Sequence, residues 1–334
     1  MMSHINYKKI LKEFEKKKIL IIGDLILDRY IWGKVNRISP EAPVPIVEVT
    51  NEDFLLGGAA NVANNIMALG GHSTIVGVTG ADRAGDVLID LLDKKGIKCE
   101  GIFRCSRPTT VKTRVIAHNQ QVVRFDKEDK KKLEGKVLKD TLGYIRGILH
   151  EHDAVIISDY KKGVVSRELI KEVLKNSKNH NVFVSVDPKV GHFHLYKNVS
   201  LITPNLTEAS VASGIVIEDE KSLILAGKKL LKKLLCDAVL ITKGEQGMTL
   251  FERDKVAHIP TITRDVYDVT GAGDTVIAAF TIAYVSGANM EEAAVIANHA
   301  AGIVVGKIGT AVATTEEILK SLNVNHDKFV IRYS

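Results

Sequence analysis

Short apolar runs alternate with longer amphipathic segments along most of the chain. The runs are almost continuously apolar and rich in β-branched residues, which is typical of parallel strands that are buried on both faces. Alternation of such strands with helices predicts an α/β fold with a doubly wound, mostly parallel central sheet flanked by helices. The predicted strands are residues 19–23, 74–78, 154–158, 182–187 and 238–242, and the predicted helices are residues 61–69, 83–94, 133–149, 167–175 and 221–235.

Two stretches interrupt this alternation. Residues 35–50 contain three prolines within PEAPVP, which excludes a helix or a central strand. Residues 109–126 alternate polar and apolar side chains on two arms that meet at 118–120, and this pattern predicts a β-hairpin. Strands isolated in this way indicate a small second sheet, formed by about residues 30–55 and 105–126. We expect it to act as a lid, because enclosing a site excludes water, on a single domain that spans residues 1–334.

Composition and charge exclude several classes of protein. The 334 residues are 45% hydrophobic and 26% charged, as in an ordinary globular chain. The three cysteines form no zinc or redox motif, and neither a signal peptide nor an apolar run long enough to cross a membrane is present, so we expect a cytoplasmic protein. The net charge of +6 is mild, and without interleaved aromatic residues it does not indicate nucleic-acid binding.

The segment DVTGAGDT at residues 268–275 carries the clearest chemical signal. Glycines at 271 and 273 allow a tight turn at the start of a helix, where outward N–H groups and the helix dipole favour an anion. Asp274 at such a place is suited to taking a proton from an attacking hydroxyl, although capping of the helix is an open alternative. Neither a P-loop nor a Rossmann glycine motif is present, so this turn is the predicted phosphate site.

A second glycine cluster opens an earlier predicted helix. Gly57 and Gly58 would let the backbone approach a ligand closely, and the Asn61 amide can both donate to and accept from hydroxyl groups. Capping of the helix by Asn61 explains the asparagine equally well.

Four segments, in this order and spacing, resemble the PfkB (ribokinase-like) carbohydrate kinases. They are the Gly57–Gly58 helix start, VTGADRAG at 78–85, TPNLTE at 203–208 and the DVTGAGDT turn, and the resemblance covers about residues 19–313. Within that family, GDLILDRYIWG, NRISPEAPVPIVEV, SDYKKGVV and DPK are similar to segments of the D-glycero-β-D-manno-heptose-7-phosphate kinases. The resemblance implies ATP-dependent phosphorylation of the anomeric C1 hydroxyl of this heptose 7-phosphate, with Mg²⁺, in ADP-heptose and lipopolysaccharide synthesis.

The resemblance also implies roles for individual residues. Asp274 would be the catalytic base, and the amides of Gly271, Ala272 and Gly273 would form the anion hole. Asp28, a surface charge on the alternative interpretation, would bind sugar hydroxyls. Three more residues, Gly57, Gly58 and Asn61, would bind the sugar, and the cations considered for the substrate phosphate are Arg29, Arg124, Lys162 and Lys189. The pair Asn205 and Glu208 would bind Mg²⁺ through water and the nucleotide phosphates, or is merely a helix cap, and the turn with Lys243, Gly244 and Gly247 would lie alongside ATP, or is an ordinary hairpin. Asn298 would lie near the adenine, and Asp268 and Thr270 would bind a monovalent cation such as K⁺.

Alternatives and partners complete the set of expectations. Another kinase of this family, acting on ribose, fructose or a fructose phosphate, is the nearest alternative, and a nucleotide- or sugar-binding regulator without catalysis is a more distant one.

The exposed edges of the predicted lid favour a homodimer. In many bacteria the heptose kinase is fused to an adenylyltransferase, and because the chain ends shortly after the kinase region we expect that activity in a separate protein.

Overall fold

The structure, a computed structural model, describes residues 6–118, 120–262, 268–307, 311–324 and 331–333. The strands are β1 (Lys18–Gly23), β2 (Leu25–Ile38), β3 (Pro45–Gly58), β4 (His72–Gly80), β5 (Lys98–Cys105), β6 (Thr110–Ala117), β7 (Gln120–Lys127), β8 (Ala154–Ser158), β9 (Phe183–Asp187), β10 (Leu201–Ile202), β11 (Ala238–Thr242), β12 (Met248–Glu252), β13 (Lys255–Ile259) and β14 (Ile331–Tyr333). The helices are α1 (Tyr7–Glu13), α2 (Ala59–Ala68), α3 (Arg83–Lys94), α4 (Gly135–Ile148), α5 (Arg167–His180), α6 (Leu206–Ser213), α7 (Glu220–Leu234), α8 (Ala272–Val285), α9 (Met290–Val304) and α10 (Thr315–Val324).

A ten-stranded sheet in the order β14-β13-β12-β11-β10-β9-β8-β1-β4-β5 forms the centre of the fold. The strands from β11 to β5 are parallel, and β12, β13 and β14 are antiparallel additions at one end. Successive residues of β1 enter different cores: Ile19 and Ile21 pack on one face of the sheet, and Leu20 and Ile22 pack on the other. Burial on both faces is the reason that these strands are continuously apolar.

Helices cover both faces of the large sheet. Helices α1, α2, α3, α8, α9 and α10 contribute buried residues to the core on one face, and α4, α5, α6 and α7 contribute to the core on the other. This arrangement confirms the predicted doubly wound α/β fold class.

A separate four-stranded sheet has the order β3-β2-β6-β7. Strands β2 and β3 lie within residues 25–58, and strands β6 and β7 lie within residues 110–127, whereas the lid was predicted over 30–55 and 105–126. Residues 98–105 instead pair with β4 in the large sheet, so the predicted start at 105 was wrong. Pro45 is the first residue of edge strand β3, a position that needs no N–H donor, and the predicted hairpin forms between β6 and β7, although residue 119 of its turn lies outside the described residues.

Three acidic residues directly follow or end parallel strands at the carboxyl edge of the large sheet. Asp24 follows β1, Asp159 follows β8 and Asp187 ends β9. Gly23 is in register with Ser158, and Ser158 is in register with Asp187, so the three residues lie side by side. Ligands of open α/β sheets bind at this edge, and the small sheet joins the large one here through β2. Across the described ranges, no helix is both long and apolar enough to span a bilayer.

Candidate active site

Asp274 lies in the first turn of α8, and its carboxylate faces two other segments of the chain. Gly271 is the N-cap in a left-handed conformation, with φ of 80°, which favours glycine. Asp274, only 3% exposed, accepts hydrogen bonds from Asn61 Nδ2 at 2.8 Å and from the Tyr160 hydroxyl at 2.9 Å, and within the described part of the chain its carboxylate bonds to no amide of the helix start. The alternative in which Asp274 serves as a helix cap is therefore wrong.

The surroundings of Asp274 make its carboxylate more basic than an ordinary aspartate. Burial raises the pKa of Asp274 to about 6, and the nearby Asp28 carboxylate adds to the rise. The hydrogen bonds from Asn61 and Tyr160 stabilise the charged form and limit the shift. The group is thus ionised at neutral pH and still basic enough to accept a proton, as a general base requires.

The start of α8 also presents backbone N–H groups. The Ala272 amide donates to the Val269 carbonyl at 3.2 Å. This amide is therefore not free to bind an anion, contrary to the role predicted for Ala272 in the anion hole. Among the described residues, the amides of Gly273 and Asp274 have no acceptor. A Cβ atom placed on Gly273 would meet no atom within 4 Å. Open space therefore lies over unpaired donors at the positive end of a helix, which is an arrangement that stabilises a phosphoryl group.

The glycine pair lies where β3 ends and α2 begins. Gly58, with φ of 57°, is the N-cap of α2, and Asn61 lies further along the first turn, so its amide reaches Asp274 instead of capping the helix. The Gly57 backbone lies against Asp28, and a Cβ atom on Gly57 would collide with the Asp28 carboxylate. The predicted sugar-binding residues Gly57, Gly58, Asn61 and Asp28 are therefore brought together beside Asp274.

Asp28 and Arg29 lie on opposite faces of the small sheet, because neighbouring residues of a strand alternate. Asp28 is buried and accepts from Arg114 Nη1 at 2.5 Å. Arg29 instead pairs with Glu52 and lies 6.0 Å from the centre of the Phe54 ring. The structure thus does not bring Arg29 to the site, and it adds Arg114, which the sequence analysis missed.

Tyr160 is a site residue that the sequence analysis missed, although it lies in the segment SDYKKGVV. Burial and the Asp274 carboxylate raise the pKa of the Tyr160 hydroxyl well above its usual value, so it keeps its proton and donates to Asp274. The loop that carries Tyr160 is held by Asp24, which accepts hydrogen bonds from the amides of Tyr160 at 2.9 Å, Lys162 at 2.9 Å and Val164 at 3.1 Å. Asp24, buried below this loop, therefore positions the hydroxyl that contacts the base.

We expect kcat/KM to fall on the acid side as Asp274 becomes protonated near pH 6. Tyr160→Phe removes a hydrogen bond that lowers the pKa of Asp274, so this acid limb should move upward by about one pH unit. The measurement is kcat/KM from pH 5 to 9 for both proteins. Tyr144→Phe, which alters a tyrosine packed against Phe103, is the control and should leave the profile unchanged. An unmoved limb in Tyr160→Phe would show that its hydroxyl does not tune the base.

The remaining cations predicted for the substrate phosphate differ in their surroundings. Arg124 of β7 forms two bonds to Asp126, at 2.9 and 2.6 Å, and Lys162 pairs with Glu128. Lys189 donates to Glu208 at 3.2 Å, which places it beside the predicted magnesium residues rather than beside Asp28.

Asn205 and Glu208 form a capping box at the start of α6. The Asn205 side chain accepts from the Glu208 amide at 2.9 Å, and Glu208 Oε2 accepts from the Asn205 amide at 3.2 Å. The capping interpretation of this pair is therefore confirmed. It leaves Glu208 Oε1 directed toward Lys189.

The carboxylate of Asp187, at the end of β9, interacts electrostatically with the carboxylates of both Glu208 and Asp274. Burial raises the pKa of Asp187 well above its usual value, and the neighbouring Asp274 and Glu208 carboxylates raise it further. Mutual repulsion among carboxylates is relieved by a divalent cation, and hard oxygen ligands are those that Mg²⁺ prefers. In the described part of the chain no three His, Cys, Asp or Glu side chains form a metal cluster. The Asp187 and Glu208 carboxylates fit the oxygen ligands that Mg²⁺ prefers.

The residues predicted alongside ATP lie in the turn between β11 and β12 and on α9. Lys243 lies in the turn between β11 and β12, and its Nζ is 3.1 Å from Nδ1 of His258 in β13. Gly247, with φ of 80°, has no room for a Cβ atom against the backbone of residues 259–261, and Gly244 borders open space. Asn298 of α9 donates to the Pro260 carbonyl at 2.7 Å.

The predicted monovalent-cation pair lies just before the turn of α8. Asp268 Oδ1 accepts from the Thr270 amide at 2.9 Å, so the two residues are adjacent in space. The preceding residues 263–267 lie outside the described part of the chain.

Comparison with known proteins decides the family. A family model described as pfkB family carbohydrate kinase matches residues 16–317. The chain belongs to this family. Membership confirms the resemblance drawn from the four motifs and the prediction of a sugar kinase.

Relatives with similar sequences are longer than this pfkB chain. The bifunctional protein HldE of a Nitratiruptor species is 46% identical over 303 residues, which are 91% of this chain and 64% of that protein. The bifunctional protein HldE of Geobacter metallireducens is 44% identical over 309 residues, which are 92% of this chain and 63% of that protein. The chain thus spans less than two thirds of the length of these relatives.

Solved structures confirm the ribokinase-like fold of this pfkB member. A ribokinase of Arabidopsis thaliana complexed with ribose and ATP superposes with a TM-score of 0.75 at 23% identity, covering 92% of this chain and 98% of that one. Phosphofructokinase-2 of Escherichia coli in complex with potassium gives 0.77 at 18% identity, covering 92% and 99%.

Proposed function

We propose that this chain transfers the γ-phosphoryl group of ATP to the anomeric C1 hydroxyl of D-glycero-β-D-manno-heptose 7-phosphate, giving the 1,7-bisphosphate and ADP. The observation that carries this proposal is the buried Asp274 carboxylate, with raised pKa, beside unpaired amides at the start of α8. The family assignment supports the kinase chemistry, and relatives named HldE support the heptose substrate.

Different site residues bind the sugar, accept the proton and stabilise the phosphoryl group in the proposed reaction. Asp28, Asn61 and the Gly57 backbone orient the sugar, since they surround Asp274 with hydroxyl-binding groups. Asp274 accepts the proton of the C1 hydroxyl as its oxygen attacks the γ-phosphorus and ADP leaves. The amides of Gly273 and Asp274 stabilise the charge that develops on the phosphoryl oxygens.

Nucleotide and metal would occupy the side of the site near α6. Mg²⁺, when bound, neutralises charge on the phosphate oxygens, and Asp187 and Glu208 are the residues that would hold it. We propose that Lys243, Gly244, Gly247 and Asn298 border the nucleotide and that Asp268 and Thr270 bind K⁺. The family assignment supports a nucleotide-dependent sugar kinase.

The small sheet is the proposed lid and the proposed surface of a homodimer. Its edge strands β3 and β7 expose apolar side chains, among them Val49 at 62% and Phe125 at 52%. Exposed edges with such residues favour pairing with a second copy. Light scattering that shows a monomer would contradict this proposal. The cytoplasmic location and the separate adenylyltransferase stay predictions.

A substrate panel tests the proposed function. With ATP and Mg²⁺, we expect kcat/KM for the heptose 7-phosphate to exceed that for ribose, fructose and fructose 6-phosphate by at least about 10²-fold, because a site built for one set of polar groups rejects sugars that leave those groups unpaired. Release of ADP is the measurement. A ribose or fructose substrate of equal kcat/KM would contradict the heptose assignment, and no ADP release with any sugar would favour a regulator without catalysis.

A further inference from the structure

A chain of buried polar side chains connects helix α2 with the start of α8. Asn61 and Asn65 lie one turn apart on α2, and Thr275 follows Asp274 on α8. All four residues are buried, and the neighbouring residues of both helices belong to the apolar core. Polar groups in such a place need hydrogen-bond partners, because burial without one is costly.

The hydrogen bonds of Asn65 fix the orientation of its amide. Its Nδ2 donates to the Asn61 backbone carbonyl at 2.9 Å, and because a carbonyl only accepts, the NH2 group must face Asn61. Its Oδ1 accepts from the Thr275 hydroxyl at 2.8 Å. That hydroxyl lies farther, at 3.2 Å, from its other acceptor, the Gly271 carbonyl. The Asn65 amide is therefore held from two sides, with its donor toward Asn61 and its acceptor toward α8.

The orientation of Asn65 favours one orientation of the Asn61 amide. Asn65 Nδ2 also lies 3.5 Å from Asn61 Oδ1, so a donor faces the oxygen of that amide. The NH2 group of Asn61 then faces Asp274 and donates to its Oδ2 at 2.8 Å. In the reverse orientation the Asn61 oxygen would lie against the Asp274 carboxylate, with no proton between the two acceptors. The order of donors that starts at Thr275 thus ends in a hydrogen bond to the base.

We infer that Asn65 and Thr275 are positioning residues, which act through Asn61 to keep a hydrogen-bond donor directed at Asp274. They also join α2, which carries sugar-binding residues, to the start of α8. The inference rests on the proposed function, in which Asp274 is the base and Asn61 binds the sugar. Within the described part of the chain Asn65 has no hydrogen bond to Asp274, so its influence on the base passes through Asn61.

Other charged or titratable groups face Asp274 from the elements packed around it. They are Asp28 on β2, Lys112 on β6, Tyr160 in the loop after β8 and Asp187 at the end of β9. The two carboxylates repel the charge of Asp274, whereas the ammonium and the hydroxyl stabilise it. In the described part of the chain none of these four side chains is hydrogen-bonded to Asn65 or Thr275. A substitution at Asn65 or Thr275 therefore changes the donor from Asn61 and leaves these groups in place.

The first test compares Asn65→Leu with wild type. Leucine has a similar volume but cannot donate to Asn61, so the bond from Asn61 to Asp274 should weaken. We expect kcat/KM for the accepted sugar to fall about 10-fold and its acid limb to move upward by up to about one pH unit, with KM for ATP unchanged. Asn176→Leu is the matched control and should change none of these values. Asn176 on α5 makes the same type of bond, to the Glu172 carbonyl at 2.8 Å, on the other face of the large sheet.

Two substitutions of Thr275 provide a second test. Valine has the shape of threonine without the hydroxyl that orients Asn65, so Thr275→Val should move the acid limb in the same direction as Asn65→Leu. Thr275→Ser keeps the hydroxyl and should return the limb close to its wild-type position. Thermal melting establishes that each variant is folded at the assay temperature. A Thr275→Val variant that loses stability but keeps the wild-type limb would mean that Thr275 supports only the packing of α8.

Removal of Asn61 shows whether Asn65 acts through it. In Asn61→Ala, the further substitution Asn65→Leu should leave the acid limb where the single variant has it, because the residue that transmits the effect is gone. A further shift in the double variant overturns the inference, as does an unmoved limb in Asn65→Leu alone.

A measurement without substrate separates this inference from the proposed function. In protein labelled with carbon-13 aspartate, the carboxyl signal of Asp274, assigned with Asp274→Asn, reports its titration directly. If no sugar is phosphorylated, the proposed function fails, but this titration should still move upward in Asn65→Leu and Thr275→Val. If the sugar is phosphorylated and the titration is the same in wild type and both variants, the positioning inference fails and the proposed function stands.

Discussion

Asp274→Asn is expected to lower kcat by roughly 10² to 10⁴-fold, the usual contribution of a general base. The amide of asparagine has nearly the same shape as the carboxylate. Its oxygen can accept from Asn61 and its NH2 group can donate to the Tyr160 hydroxyl oxygen, but it cannot accept the proton of the attacking hydroxyl. The measurement is ADP release under saturating sugar phosphate and ATP. A variant with near-normal turnover would remove Asp274 from the role of base.

The same substitution is expected to raise the free energy of unfolding at neutral pH. The pKa of Asp274 is raised to about 6 in the folded protein, above its value in the unfolded chain. The folded protein therefore becomes less stable relative to the unfolded chain as pH rises through 6 and the buried carboxyl ionises. Asp274→Asn removes this cost, and its advantage over wild type should grow from pH 4 to pH 7 to at most about 3 kcal/mol. Urea unfolding measures it. Asp254→Asn, at an exposed carboxylate, is the control and should change the free energy of unfolding by no more than about 0.5 kcal/mol.

The large sheet was predictable because its strands are buried on both faces. Residues 19–23 and 154–158 are continuously apolar, which no surface strand or amphipathic helix would be. The antiparallel strands β12 and β13 were not among the predicted strands. Their short segments at the end of the sheet mix polar and apolar residues, and the neighbours that stabilise them come from packing rather than from local pattern.

The candidate site was predictable where local backbone geometry or a motif required a residue type. Gly271 and Gly58 both adopt positive φ at the start of a helix, and each precedes a polar residue in the first turn, Asp274 and Asn61. Tyr160 was not predictable in this way. Its contact with Asp274 joins residues 114 positions apart, and nothing in the sequence around either residue specifies that pairing.

Strand alternation would have corrected the choice of cations. Asp28 and Arg29 are neighbours on one strand and therefore lie on opposite faces, which excludes Arg29 from a site that contains Asp28. The hairpin register pairs Arg114 with Arg124, and Lys112 lies two residues before Arg114 on the same face. The period of two thus places three cations on one face of the small sheet.

Asp24→Ala is expected to destabilise the protein by roughly 3 to 5 kcal/mol, because three amides of the loop at 160–164 lose their buried acceptor. Urea unfolding measures the loss. Asp24→Asn, which keeps a carbonyl oxygen, should lose less. Asp153→Ala is the matched control, since the exposed Asp153 accepts only one backbone amide, from Lys18 at 2.8 Å, and should cost about 1 kcal/mol.

The effect of Asp24 on catalysis follows from the loop that it holds. When the amides of Tyr160 and its neighbours lose their acceptor, the Tyr160 hydroxyl is no longer fixed against Asp274. In Asp24→Ala kcat should therefore fall, and the acid limb of kcat/KM should move in the same direction as in Tyr160→Phe. Asp153→Ala should leave both unchanged. Loss of stability in Asp24→Ala without a displaced acid limb would mean that Asp24 supports the fold alone, whereas the displaced limb identifies it as the residue that positions the partner of the base.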